Sequence, residues 1–409
     1  MTVSRSRRQL PSWHVVAPLL RPQPVVLSGT RRRLAAAATV TDLRAIAFRR
    51  TPRRVFDYTD GGAGDEISLA RNRQAYQRVE FRPSVLRDVS TVDPSALILG
   101  KRSALPIVLA PTGFTRMMHH EGEVAAARAA RSAGIPYALS NFGTTSVSDL
   151  AAAVPSDRQW FQLYLCRDRG PSLELVQLAA ESGYEALVLT VDTPVAGPRL
   201  RDVHSGLTIP PRLRLRSFPN GAARSRWWLN LITTAPLSMA SLERWSGTIA
   251  EAGGLFDPSA TVRDVAWLRE IWPGKLIVKG VLNPEDACEA VAAGADAIVV
   301  SNHGGRQLDR SPAPLDELPA VVQAVGGRAE VYVDGGVLSG GDVAAALCLG
   351  ATSVLIGRAY LYGLMAGGEA GVGRALDILS AELRQTMQLL GVRSVAELTP
   401  DRVRLRASS

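Results

Sequence analysis

The run Ser301-Asn302-His303-Gly304-Gly305-Arg306-Gln307 places a histidine three positions before an arginine, with two glycines between them. It follows Asp296-Ala297-Ile298-Val299-Val300, an apolar segment that reads as a buried strand. An imidazole takes and returns a proton near neutral pH. A guanidinium grips a carboxylate through two parallel hydrogen bonds. Glycines let the backbone approach a flat ligand closely. The pattern predicts a base beside an anion clamp at the mouth of a strand. Alone, His-Gly-Gly is equally compatible with a turn, so the reading depends on what else arrives at that place.

The elements that would bring other groups there begin at residue 106. Apolar segments at 106–110, 136–140, 160–165, 186–190, 275–279, 296–300, 330–334 and 353–356 read as strands. Helical patterns at 121–133, 147–153, 172–182, 261–271, 284–293, 315–325 and 341–349 separate them, and more helix runs to about Gly391. Continuous apolar runs between helices indicate parallel strands covered on both faces. Eight such units predict an α/β fold of the (β/α)8 TIM-barrel type. An open doubly wound sheet is the alternative, but no GxGxxG follows the first strand. Barrel chemistry collects at the C-terminal strand ends. Those ends read Pro111-Thr112-Gly113, Ser140, Gln162 with Tyr164, Thr190 with Asp192, Lys279, Ser301 with His303, Asp334-Gly335-Gly336, and Gly357-Arg358. Each ends in polar residues or glycine, which together would form one ring around a pocket.

Composition narrows the function classes. The 409 residues are 46% hydrophobic and 21% charged, which is ordinary for a globular chain. Among 47 basic residues only Lys101, Lys275 and Lys279 are lysine. With a net charge of +9 but no zinc-finger spacing, RNP-like motif or basic heptad, nucleic-acid binding is not expected. Three scattered cysteines argue against a disulfide framework and a metal site. No apolar run reaches the roughly 18–20 residues that span a bilayer.

Residues 1–40 form a basic arm with no acid before Asp42, broken by Pro11, Pro18, Pro22 and Pro24. It shares the composition of a mitochondrial targeting segment, but its prolines spoil a continuous amphipathic helix. The expectation is an extension lying on the domain or on a neighbouring subunit. Thr41 and Asp42 read as the start of a helix that Asp60-Gly61-Gly62-Ala63-Gly64 stops. Residues 41–400 are expected to form the barrel domain, with an insertion at 203–256 after strand four. Residues 203–242 contain no acid; they carry Arg212, Arg214, Arg216, Arg224 and Arg226, then Trp227-Trp228-Leu229 and Leu231-Ile232. Arginines beside indoles and aliphatics suit a membrane interface. A flap or subunit contact is the alternative.

Taken in order, these residues resemble the FMN-dependent α-hydroxy-acid oxidoreductases over about residues 40–400. Besides Ser301 to Gln307, the match includes Phe56-Asp57-Tyr58, Gly61-Gly62-Ala63, Phe161-Gln162-Leu163-Tyr164, Thr190-Val191-Asp192, Val278-Lys279-Gly280, Asp334-Gly335-Gly336 and Ile356-Gly357-Arg358. The segment from Val195 to Gly206, with Arg199, Arg201 and Asp202, is most similar to the L-lactate dehydrogenase branch.

The resemblance implies FMN as cofactor and His303 as the base, oriented by Asp192. It implies that Arg306, Arg199 and Tyr58 hold the substrate carboxylate and that Tyr164 meets the substrate hydroxyl. Lys279 would stand by the flavin N1/O2 edge. Ser140, Gln162, Thr190 and Ser301 would serve the flavin ring, and Pro111, Thr112 and Gly113 its other face. Asp334 joins the cofactor set, with Gly335, Gly336, Gly357 and Arg358 at the phosphate. Phe142 and Ala196 would border the substrate side chain. Leu338 departs from the pattern, since several relatives carry an arginine there, which would load Arg358 further. Pro198 and Gly113 also depart from it.

The implied activity is oxidation of L-lactate, or a related L-2-hydroxy acid, to the 2-keto acid. Electrons would pass to quinone or another respiratory acceptor. An oxidase producing hydrogen peroxide, or a flavin-independent phosphate-binding barrel enzyme, is the alternative; a noncatalytic membrane scaffold leaves the strand-end ring unexplained. A homo-oligomer is expected, cytoplasmic and peripheral on the inner face of the plasma membrane.

Overall fold

The computed structural model describes residues 10–18, 28–209, 211, 224–245 and 257–406. Eight strands form its centre: β1 Ile107–Leu109, β2 Tyr137–Ser140, β3 Gln159–Leu163, β4 Ala186–Thr190, β5 Lys275–Val281, β6 Ala297–Val300, β7 Glu330–Asp334 and β8 Ser353–Ile356. They pair in parallel and in chain order, and β8 closes on β1 to complete a barrel. Eight helices cover it: α1 Gly122–Ser132, α2 Val147–Ala153, α3 Arg169–Glu181, α4 Val262–Ile271, α5 Pro284–Ala292, α6 Pro314–Val325, α7 Gly340–Cys348 and α8 Arg358–Leu390. The last is interrupted where Gly367 and Gly368 leave helical geometry. The (β/α)8 expectation holds, with strand limits within two residues of those read from sequence.

Alternation along each strand explains how the ring forms. Val108, Ala138, Trp160, Val188, Ile277, Val299, Tyr332 and Leu355 share one buried cluster inside the barrel, where the Trp160 and Tyr332 rings stack at 6.0 Å. Leu109, Leu139, Phe161, Leu187, Val278 and Val300 belong to the second cluster, with the helices. Side chains repeat every two residues on one strand face. Two residues beyond six of these inward positions stand Ser140, Gln162, Thr190, Lys279, Ser301 and Asp334, while Ala110 and Gly357 follow Val108 and Leu355. The periodicity that packs the barrel therefore also turns these polar groups inward at its C-terminal rim.

The other mouth is plugged. A hairpin of Ala96–Ile98 and Lys101–Ser103 carries Ile98 and Leu99 into the interior cluster. Glu330 accepts from the Leu99 backbone at 3.1 Å, and Arg158 donates to the Ile98 carbonyl at 3.1 Å.

After a single turn at Trp13–Val16, the helices Gly29–Ala36, Val40–Arg50, Arg53–Asp60 and Ile67–Gln77 lead into the barrel. The first lies on the domain, with Leu34 buried against Gly367 and Arg374 donating to the Ala37 carbonyl at 2.7 Å. Residues 1–9 and 19–27 of the arm lie outside the described residues. Two boundaries differ. Thr39 caps the second helix in a reciprocal capping box with Asp42, so that helix begins before Thr41. Pro52 then separates two helices where one was expected, because its ring and missing N–H end the first. No helix among the described residues is long and apolar enough to cross a membrane.

Candidate active site

The C-terminal mouth opens into a cavity of about 880 Å³. His303 sits at its edge in a left-handed backbone conformation, φ 57°, held by its N–H donating to Ser301 Oγ at 3.0 Å. Its Nδ1 lies 2.9 Å from Asp192 Oδ1, and its Nε2 lies 3.4 Å from the Tyr164 hydroxyl. Asp192 reaches this place because β5 bulges at Gly280, which has φ 111°. A Cβ there would stand 2.6 Å from the Asp192 carboxyl carbon. Burial would raise the Asp192 carboxyl, but His303 and Lys279 hold it below its ordinary value. With Nδ1 committed to a carboxylate, Nε2 is left as the proton-accepting nitrogen.

Arg306 Nη1 donates to the carbonyls of Tyr58 at 2.6 Å and Gly61 at 3.1 Å. Arg199 Nε donates to Asp202 at 3.2 Å. The two guanidiniums lie 5.0 and 5.7 Å from the Tyr58 ring centre, respectively. Burial, with Arg199 and Arg358 nearby, pushes Arg306 down to about 10 against the pull of Tyr58 and Asp202. It remains cationic at neutral pH, in a field that favours an anion.

Lys279 is buried, with Nζ 2.9 Å from Asp334 Oδ2 and donating to Ser301 Oγ at 3.0 Å. Burial would lower its pKa, yet Asp334 and Asp192 raise it, so the ammonium is secured. Ser140 donates to Gln162 Oε1 at 2.7 Å, which leaves Gln162 Nε2 buried without a partner. Thr190 Oγ1 and Asp334 Oδ1 are buried and unpartnered as well. Unsatisfied buried polar atoms are costly, so a cluster of them at a rim indicates a polar ligand.

Most of the expected site residues line the one cavity: Tyr58, Pro111, Thr112, Gly113, Ser140, Tyr164, Arg199, Lys279, His303, Arg306, Asp334, Gly335, Gly336, Gly357 and Arg358. Asp192, Gln162 and Ser301 stand behind it, bonded to His303, Ser140 and Lys279. Thr190 pairs in register with Lys279 but lines an adjoining cavity with Tyr164 and Thr193. Phe142 and Ala196 also line the main cavity.

Several of these residues also pack against protein. The glycines after His303 serve packing: a Cβ on Gly305, at φ 73°, would meet the Leu69 backbone nitrogen at 2.7 Å. Gly336, at φ 92°, likewise lies against the Asn72 carbonyl. The helix Ile67–Gln77, unassigned from sequence, seats on both loops. Arg358, for its part, is engaged by protein, donating to the carbonyls of Thr59, Gly304 and Gly61 at 3.0, 2.9 and 2.8 Å. It clamps the histidine loop to the segment around Gly61. Sequence reasoning missed Arg73, which lines the cavity, donates to the Gly336 carbonyl and pairs with Asp342 at 2.7 Å. Its only signal was indirect, the missing cation at Leu338, also a lining residue.

A family model described as FMN-dependent dehydrogenase matches residues 47–405. A Mycobacterium tuberculosis protein is 53% identical over 397 residues, covering 97% of this chain and 96% of its own length. An L-lactate dehydrogenase of Caulobacter vibrioides is 45% identical over 372 residues, 88% of this chain and 96% of that one. The solved structure of a monotopic membrane protein, (S)-mandelate dehydrogenase, matches with TM-score 0.87 and 38% identity, covering 91% of this chain and all of that one, 100%. The chain belongs to the FMN-dependent dehydrogenase family. It is a flavoprotein oxidoreductase whose cofactor is FMN. The cavity volume and, lining it, the unpartnered Asp334 Oδ1 and the buried Lys279 cation fit that group, with the unpartnered Gln162 Nε2 behind Ser140.

Proposed function

We propose that the protein oxidises L-lactate, or a closely related small L-2-hydroxy acid, to the 2-keto acid and passes the electrons to quinone at a membrane surface. The observation that carries this reading is the His303–Asp192 pair at 2.9 Å, set in a cavity that Arg306 and Arg199 also line. Similarity to an L-lactate dehydrogenase favours lactate, and Phe142 and Ala196 bound the space for a small side chain.

In this reading Arg306 and Arg199 bind the substrate carboxylate, and Tyr58 between them fixes their separation. Tyr164 hydrogen-bonds the substrate hydroxyl. His303 Nε2 takes the proton, from the α-carbon or from the hydroxyl, and Asp192 stabilises the resulting imidazolium. FMN, when bound, supplies the acceptor for the two electrons. Lys279 holds a fixed positive charge beside the flavin, kept ionised by Asp334. Gln162 and Thr190 offer their free atoms to the ring.

At the phosphate end we assign Arg73 the cationic role that Leu338 cannot fill. Hydrogen bonds to charged groups are worth about 1.5–3 kcal/mol. Arg73→Leu is therefore expected to weaken FMN binding by about 10–100-fold while leaving riboflavin binding unchanged, read by flavin fluorescence quenching. Equal loss for both flavins would make Arg73 structural, through Asp342.

The helix Ser225–Ile232 supports the membrane half of the reading. Leu229 and Ile232 are 57% and 71% exposed on it. Trp227, by contrast, is turned inward, donating to the Met118 carbonyl at 3.3 Å. Arg212, Arg214 and Arg216 lie outside the described residues. Turnover with L-lactate should exceed turnover with D-lactate, and a quinone analogue should reoxidise the flavin faster than oxygen does. Rapid peroxide formation with no quinone response would identify an oxidase instead.

A further inference from the structure

A second, smaller pocket of about 160 Å³ lies against the same helix. Three segments distant in sequence converge on it. Arg49 and Arg50 come from the last turn of Val40–Arg50, and Arg116 from the helix Thr115–Met118 that follows β1. Arg224 and Arg226 come from the insertion. His119 and His120 form part of the wall, and no acidic residue among the described residues lines it.

Cations gathered this closely repel one another unless an anion joins them. Arg50 Nε is buried without a partner, and burial together with Arg33 and Arg226 lowers the pKa of that guanidinium. His119, driven down to about 4 chiefly by burial, stays neutral. It adds a polar lining without adding to the repulsion.

A metal ion is the rival occupant, since potential ligand atoms of His119, His120 and Glu121 lie within 4.8 Å of one another. The arginines oppose it, because they border the same imidazoles, and Asn230 Nδ2 already lies 3.0 Å from His120 Nδ1. The pocket suits a phosphate group in charge and falls short of the roughly 300 Å³ that larger ligands need. Leu229 and Ile232, which do not line the pocket, are exposed on the helix that supplies Arg226. A phosphate attached to acyl chains would satisfy both surfaces at once.

We propose that this pocket seats the headgroup phosphate of an anionic phospholipid and so fixes the insertion helix to the membrane surface. The proposal rests on the membrane reading above and gives it a specific site. Guanidinium forks recognise phosphate through paired hydrogen bonds that an ammonium cannot reproduce.

The test is sedimentation of the FMN-loaded protein with vesicles. One set contains phosphatidylglycerol; another contains a carboxylate-headed lipid at matched surface charge. The wild type should prefer the phosphatidylglycerol vesicles. The double variant Arg49→Gln/Arg226→Gln should lose about ten-fold in that affinity, and Arg49→Lys/Arg226→Lys should lose several-fold although its charge is kept. FMN content and flavin reduction by L-lactate should be unchanged in both.

A lysine variant equal to wild type, or no preference between the two lipids, would overturn the built site and leave general electrostatics. Soluble glycerol phosphate that blocks arginine modification in the pocket as well as vesicles do would overturn the lipid assignment in favour of a free phosphate. Protection by zinc would overturn it in favour of a metal. Failure of the wild type to bind any vesicle would remove both this proposal and the membrane reading.

Discussion

His303→Gln is expected to slow anaerobic flavin reduction by L-lactate by about 10²–10⁴-fold, the usual worth of a positioned general base. FMN should stay bound at the wild-type ratio. Nε2 is the ring nitrogen left to accept a proton once Nδ1 is bound to Asp192 at 2.9 Å. Glutamine retains a polar side chain but has no basic nitrogen. Its backbone must still adopt the left-handed conformation at 303, which the Ser301 hydroxyl supports. Rapid mixing reads the rate, and the absorbance ratio of flavin to protein reads occupancy. Loss of both together would show that the histidine mainly holds the loop. The pair also has a stability consequence. Asp192 is depressed in the folded state. Its stabilising contribution is therefore present above the unfolded carboxylate pKa and lost as pH falls through the folded value.

Arg306→Lys should be nearly as damaging, with kcat/KM for L-lactate falling by about 10²–10³-fold, or roughly 3–4 kcal/mol at 1.4 kcal/mol per decade. One nitrogen of the guanidinium serves two carbonyls, those of Tyr58 and Gly61, leaving the rest of the fork for a carboxylate. An ammonium cannot do both tasks. Keeping the carbonyls would withdraw charge from the substrate; reaching the substrate would take its donor from the Tyr58 carbonyl, whereas Gly61 would keep Arg358. The measurement is steady-state kcat/KM beside thermal stability. An unchanged kcat/KM would mean that Arg199 alone anchors the substrate.

Much of this could be read from the chain alone because the same residues meet two demands. The eight strands are short apolar runs, and their two-residue alternation carries both the Trp160–Tyr332 interior and the polar ring from Ser140 to Asp334. The helix Ile67–Gln77 escaped because its buried face includes Ser68 and Asn72, which give no apolar period. Asn72 instead bonds Asn302 at 2.9 Å, a pairing 230 residues apart in sequence. Without that helix, Arg73 had no visible route to the cavity. The packing demand on the glycines at 305 and 336, on which the helix rests, was hidden with it. The hairpin at 96–103 was missed for a related reason: two three-residue strands carry too little pattern to register.

Anaerobic mixing of the purified FMN protein with L-lactate tests the central claim most directly. If His303, Asp192, Arg306, Arg199 and Lys279 work together on one bound flavin and one hydroxy acid, oxidised-flavin absorbance disappears and one pyruvate forms per flavin. A fully loaded flavin that stays oxidised at saturating L-lactate and other small L-2-hydroxy acids would contradict it.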